Sequence, residues 1–205
     1  MSNFPFEGDL GKFARGRTLL RLSYLLYTSF YAPKSFKACE VGVSAGDNAI
    51  EMLKCPLLGE LVLVDPYLPN DKNFTYDVGR AYSTESADEF YKGVKFRMSK
   101  YDNVRLFREP SAEAAKRFQN EYFDYIYIDA IHDTEHVLED LNAWWDKLKV
   151  NGVMAGHDSI SNEVAGGVIM FAQKMKVSAT VTSVVDCGGF MLPYTEWIDW
   201  WIIKS

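Results

Sequence analysis

Short apolar runs alternate along this chain with longer stretches in which apolar residues return every three or four positions. The runs are Phe36–Val41, Leu61–Val64, Val104–Phe107, Tyr125–Ile128 and Val153–Ala155. Runs of this length, bounded by turn residues, read as strands buried on both faces. Between them the helical period appears. Ala49, Ile50, Met52 and Leu53 follow Asp47 and Asn48, which suit a helix start, and Pro56 closes that helix. Ser86 and Glu89 have capping-box spacing ahead of Phe90, Val94 and Met98. Pro110 suits the first position of a helix, with Ser111 beside it. Val137, Leu141, Trp144, Trp145 and Leu148 share one face of a helix over 134–148, and another helix is expected over 163–175. Two last strands are expected over 179–185 and 197–203. Strands alternating with helices predict an α/β fold. Its sheet is doubly wound and mostly parallel, with one antiparallel strand near the C-terminus and helices on both faces.

Residues 1–35 precede the first strand and form an N-terminal helical extension; residues 36–205 form the main domain. Asp9 suits a cap for a helix carrying Leu19, Leu22, Leu26 and Phe30, with Arg15, Arg17 and Arg21 on its solvated face and Pro33 at its end. Residues 66–83 carry little periodicity and read as a loop over the strand ends.

The chain has 205 residues, enough for one sizeable core. A net charge of −6 argues against a nucleic-acid partner held by a broad basic field. No apolar run is long enough to span a bilayer, and no signal-peptide pattern opens the chain. Cys39, Cys55 and Cys187 have no metal-ligand spacing, which fits reduced thiols and a cytoplasmic setting. A homodimer is expected from the apolar N-terminal helix.

The candidate chemistry lies at the strand ends. Gly42 and Gly46 let the first strand turn tightly into its helix and let backbone approach a ligand. Asp65 ends the second strand 23 residues past Gly42, where an acid can accept hydrogen bonds from ribose hydroxyls. The three histidines all follow strand ends closely: His132 and His136 after Asp129, and His157 beside Asp158. If the fourth and fifth strands are neighbours, these groups meet at one rim, where they can bind a divalent ion or supply a general base. Asp133 reads as a helix N-terminal acid; His136 and Asp140 read as structural. Tyr67, Tyr76, Tyr82, Trp197, Trp200 and Trp201 suit an aromatic or sugar site, although such spacings more often mark core.

Taken together, Glu40-x-Gly42-x-x-x-Gly46, then Asp65, then Asp129-x-x-His132, then Asn151-Gly152 and His157-Asp158 resemble the class I S-adenosylmethionine-dependent methyltransferases. The likeness covers residues 36–160. It is closest to the O-methyltransferase group with catechol, macrocin and cephalosporin-hydroxylase-like branches. It implies a Rossmann-like fold, S-adenosylmethionine as cofactor and a small-molecule hydroxyl as acceptor. It also implies that Glu40, Gly42 and Gly46 shape the cofactor loop, with Asn48 near the methionine end. Asp65 would hold the ribose and Ser111 would lie beside adenine. Asp129 would sit near the methionine part and, in metal-dependent members, hold magnesium or another divalent metal with Asp158 and His157. The position of His157 is usually acidic in those members, and an imidazole suits a transition metal better than magnesium. His132 and His157 are the candidate bases. Two other readings stand beside this one: a nicotinamide-dependent oxidoreductase, disfavoured by the glycine spacing, and a non-catalytic methyltransferase-like binding subunit.

Overall fold

The computed structural model describes residues 21–68, 84–181 and 198–205. The expectations for Asp9, Arg15, Arg17, Leu19, Tyr76, Tyr82, Cys187, Trp197 and most of the 66–83 loop lie outside them. The elements run α1 (Leu22–Phe30), β1 (Phe36–Val41), α2 (Asp47–Met52), β2 (Leu58–Val64), α3 (Thr84–Met98), β3 (Val104–Phe107), α4 (Ser111–Ala115), β4 (Phe123–Ile128), α5 (Thr134–Trp145), β5 (Leu148–Gly156), α6 (Asn162–Met175), β6 (Ala179–Val181) and β7 (Trp200–Ile203). The strands form one seven-stranded sheet in the order β3-β2-β1-β4-β5-β7-β6. Pairing is parallel from β3 through β5, while β7 runs antiparallel to both β5 and β6. The order reverses between β1 and β4, so loops leaving those two strands open a crevice at the sheet's carboxyl rim.

Alternation along each strand divides the core in two. In β4, Tyr125 and Tyr127 face one side with Ala38, Leu61, Leu63, Val153 and Trp201. Ile126 and Ile128 face the other with Cys39, Val62 and Met154. Tyr24 and Tyr27 of α1, Met52 of α2 and Val94 and Met98 of α3 cover the first side. Ala114 of α4, Leu141 and Trp144 of α5 and Phe171 of α6 cover the second. Burying an aliphatic chain such as Ile126 completely is worth roughly 1.5–3 kcal/mol. Tyr67, Trp200 and Trp201 are buried in these cores, so the core reading of those aromatics holds.

Several boundaries differ from the sequence reading. β2 and β4 begin earlier, and β5 starts at Leu148, running through Asn151-Gly152 instead of after it. Asn151 has φ 64, and its N–H donates to the Lys204 carbonyl. Pairing at that sheet end therefore continues through the turn residues. α3 starts at Thr84, two residues before the expected cap at Ser86. Pro110 is the N-cap of α4 and not its first residue, because its ψ of 145 is still extended. Cys39 and Cys55 are free thiols. No described helix is long and apolar enough to cross a membrane.

Candidate active site

The turn after β1 is built on two left-handed glycines, Gly42 at φ 84 and Gly46 at φ 78, with Ser44 at φ 49 between them. Gly46 is the N-cap of α2. Asp65, at the end of β2, pins this turn. Its Oδ2 accepts the Val43 and Ser44 N–H groups at 2.9 Å each, and its Oδ1 accepts the Tyr67 N–H at 2.8 Å. Burial raises the Asp65 pKa, and the three N–H groups work against that rise. Arg97 of α3 holds the turn from outside, donating to the Ala45 carbonyl and, at 2.8 Å, to Asp47 Oδ1.

Glu40 lies in β1 at 2% exposure. Its Oε1 accepts from Asn48 Nδ2 at 2.9 Å. Glu40 Oε2 and Asn48 Oδ1 are buried acceptors that meet no donor among the described residues. Burial pushes the Glu40 carboxyl up to about 8, more than the Asn48 hydrogen bond lowers it. Two adjacent acceptors without donors fit a ligand carrying several N–H bonds.

β4 and β5 are neighbours, so their ends deliver the acids and histidines together. His132 Nε2 stands 3.4 Å from Asp129 Oδ1 and 3.2 Å from Asp158 Oδ2. His157 Nδ1 also lies 3.2 Å from Asp158 Oδ2. Asp158 takes φ 54, which turns the chain sharply at the rim. Its hydrogen bond and charge pairing with His157 and His132 hold its pKa below the usual carboxylate range, although burial acts the other way. The Asp129 hydrogen bond raises the pKa of His132 against its burial.

Arg21 completes the cluster, contrary to the expectation of a solvated helix face. It is the N-cap of α1, with extended backbone. From there Nη2 reaches Asp129 Oδ2 at 3.2 Å and Nη1 reaches His157 Nε2 at 2.9 Å. Burial opposes a charge on His157 and the Asp158 hydrogen bond favours one, with a net upward shift. The Arg21 charge beside the ring is among the causes that oppose that rise. A guanidinium only donates, so Nε2 accepts and the ring proton sits on Nδ1, facing Asp158.

One ligand atom each from Asp129, His132 and Asp158 lies within 4.8 Å of the others, a donor set that fits a divalent cation. The metal set read from the sequence differs by one residue. His132 joins the two carboxylates, whereas His157 has its nitrogens turned to Arg21 and Asp158. The structure thus brings together Glu40, Gly42, Gly46, Asn48 and Asp65 at one end of the crevice and Asp129, His132, His157 and Asp158 at the other. The Asp129 N–H bonds the Val41 carbonyl at 2.8 Å, joining the two ends. Ser111 is turned elsewhere: its Oγ accepts from Trp144 Nε1 at 2.8 Å and bonds Asp140. Asp133 caps α5 by accepting the His136 N–H, as its sequence position suggests.

The sequence profile of a methyltransferase domain family matches residues 39–159, more than half of the chain. The chain belongs to the class I S-adenosylmethionine-dependent methyltransferases. That placement sets aside the nicotinamide reading. Solved structures agree on the fold. The precorrin-8w decarboxylase of Methanobacterium thermoautotrophicum superposes with a TM-score of 0.57 at 17% identity, over 88% of this chain and 87% of that one. A Staphylococcus aureus protein assigned as a caffeoyl-CoA O-methyltransferase gives 0.58 at 13% identity, over 96% and 90%. The precorrin-6y C5,15-methyltransferase of Geobacter metallireducens gives 0.59 at 12%, over 89% and 87%. No curated protein sequence matches the chain. In this methyltransferase the glycine turn, Asp65 and the orphaned acceptors of Glu40 and Asn48 stand at the sheet's reversal point, where such folds bind nucleotide-like cofactors.

Proposed function

We propose that this methyltransferase transfers a methyl group to a hydroxyl of a small-molecule acceptor at the rim where β4 and β5 end. The observation that carries the proposal is the cluster of Asp129, His132, His157 and Asp158 beside the glycine turn. S-adenosylmethionine supplies an electrophilic methyl on a sulfonium. The chain's own groups do the rest. Glu40 Oε2 and Asn48 Oδ1 receive the ammonium of the cofactor's methionine end, which favours the ionised form of Glu40. Asp65 keeps lone pairs for ribose hydroxyls beyond its three backbone bonds. Ser111 is the position beside adenine, through its backbone, since its hydroxyl is already bonded. Asp129 sits between the cofactor and acceptor ends. His157, neutral and turned to the acceptor through Nε2 once Arg21 moves aside, takes the acceptor's proton; His132 is the other candidate base. Asp129, His132 and Asp158 would hold a divalent ion, which lowers a hydroxyl's pKa. Alignment of the acceptor oxygen supplies much of the rate gain. The acceptor's class, a cytoplasmic setting and a homodimer belong to this same proposal.

The test has two stages. Calorimetric titration with S-adenosylhomocysteine, with NADH as control, checks the cofactor. A turnover assay with labelled S-adenosylmethionine over a panel of hydroxyl compounds, with and without chelator, checks the chemistry. Binding with turnover that Asp129→Ala and Asp158→Ala abolish, while they retain binding, supports the proposal. Binding without turnover on any hydroxyl favours a non-catalytic binding subunit. Full turnover after exhaustive chelation rejects the ion.

A further inference from the structure

Asp129 and Asp158 bring two carboxylates to neighbouring strand ends, with one His132 nitrogen within 3.4 Å of both. Carboxylates at such a site repel unless cations or hydrogen-bond donors balance them. The chain supplies a cation itself. Arg21 reaches Asp129 Oδ2 and His157 Nε2 with a side chain only 14% exposed.

Its approach is fixed from behind. Two residues on, the Ser23 N–H and hydroxyl reach Asp199 Oδ2 at 2.8 and 2.6 Å. Asp199 is fully buried, and its Oδ1 accepts from Tyr127 at 3.1 Å. Ser23 Oγ also meets Tyr125 OH at 2.9 Å. A buried carboxylate is costly unless its bonds are satisfied. What this one secures is the first turn of α1, and with it the direction from which Arg21 enters the cluster.

We propose that Arg21 is the resident cation of this site and competes with a divalent ion for the Asp129 carboxylate. Asp129 is shared, with Oδ2 turned to Arg21 and Oδ1 to His132. An ion held by Asp129, His132 and Asp158 puts its charge beside the guanidinium, on the same carboxylate. Like charges this close, in a half-buried setting with weak screening, repel strongly. Either the ion binds weakly or Arg21 withdraws, and its withdrawal also breaks its contact with His157 Nε2. Arg21 is therefore a positioning residue that sets Asp129 and His157. The inference rests on the acceptor-side reading of this rim, but its test needs neither cofactor nor acceptor.

The experiment is calorimetric titration of Mn2+ into the full chain as wild type, Arg21→Met, Arg21→Gln and Arg21→Lys. Arg21→Met should bind Mn2+ roughly tenfold or more tightly than wild type, since it removes the charge. Arg21→Lys should stay near wild type, and adding Asp129→Asn to Arg21→Met should abolish the gain. Thermal unfolding serves as the folding control. Should Arg21→Met fail to fold, Arg21→Gln keeps an N–H donor without the charge and reads the same effect. Equal affinity in wild type and the uncharged variants, binding to none of them, or a gain that survives Asp129→Asn overturns the proposal. S-adenosylhomocysteine titrated into the same wild-type sample separates the two readings: its failure to bind removes the methyltransferase site assignments and leaves the Mn2+ comparison standing.

Discussion

Gly42 faces the backbone carbonyl of Asp129 with no room for a side chain. A Cβ at Gly42 would overlap that carbonyl and crowd Ala130 Cα at 2.8 Å. Gly42 also holds φ 84, a conformation that L side chains resist. Gly46 shares the left-handed conformation, but its Cβ would meet flexible ends, Met98 Cε at 3.2 Å and Val94 Cγ2 at 3.4 Å. Gly42→Ala is therefore expected to cost at least about 1–3 kcal/mol beyond the strain of its φ and to abolish S-adenosylhomocysteine binding. Gly46→Ala should cost about 1–2 kcal/mol and keep some binding. Urea denaturation and calorimetry check both; the reverse ranking would show that the close approach to Asp129 does not constrain the turn.

Glu40 makes the protein's stability depend on pH in a direction unusual for a carboxylate. Its folded pKa is about 8, against an ordinary 4.5, because burial disfavours the charge. Between those values the native chain holds a proton that the unfolded chain has lost. Stability from this group is thus fully present below about 4.5 and falls as pH rises towards 8, by at most about 1.4 kcal/mol per unit. Glu40→Gln keeps the shape without the charge, so its advantage over wild type should grow from pH 5 to pH 8 in urea midpoints. A constant difference between the two proteins across that range would contradict the buried, protonated carboxyl.

Ser111 separates a structural from a cofactor role. Its hydroxyl accepts from the indole of fully buried Trp144 and bonds Asp140, whose carboxyl burial pushes up to about 6. Ser111→Ala leaves the indole N–H without that acceptor and should cost about 1–3 kcal/mol, with little change in S-adenosylhomocysteine affinity. A loss of affinity at unchanged thermal stability would instead assign the hydroxyl to the cofactor.

What could be read from the chain follows from range. Asp65 and Asp129 were legible because each directly follows an unbroken apolar run, and such runs become parallel strands whose carboxyl ends share one rim. Gly42 and Gly46 were legible because a sharp strand-to-helix turn needs left-handed residues. Arg21 was not. Helical spacing places it away from Leu22 and Leu26, but as the N-cap its side chain leaves along the helix end towards the rim. Only the sheet order, which sets β5 beside β4, reveals what lies there. Ser23 and Asp199 are 176 positions apart, and no local pattern pairs them. The bond from Trp144 to the Ser111 hydroxyl was hidden for a similar reason, since Trp144 becomes its neighbour only when α4 and α5 cover the same face. The exchange of His132 for His157 in the donor set follows from Arg21, a contact of equally long range.

The Ser23–Asp199 pair should behave as the root of α1. Three donors converge on one buried carboxylate: the Ser23 N–H, the Ser23 hydroxyl and the Tyr127 hydroxyl. Ser23→Ala removes one of them and should cost about 1–3 kcal/mol. Asp199→Ala takes the acceptor from all three at once, leaving the Ser23 hydroxyl only Tyr125 OH, and should cost more. The loss should be local before it is global. Amides of α1 should exchange faster in Asp199→Ala, while those of β1, β2 and β4, buried between helices on both faces, keep their protection. Hydrogen exchange measured by mass spectrometry resolves these segments. Because the pair also aims Arg21, Asp199→Ala should move Mn2+ affinity in the same direction as Arg21→Met, though less far. Unchanged exchange in α1 would mean that Tyr24 and Tyr27, packed against Phe36 and Tyr125, hold the helix by themselves, and the buried carboxylate would then have no part in steering Arg21.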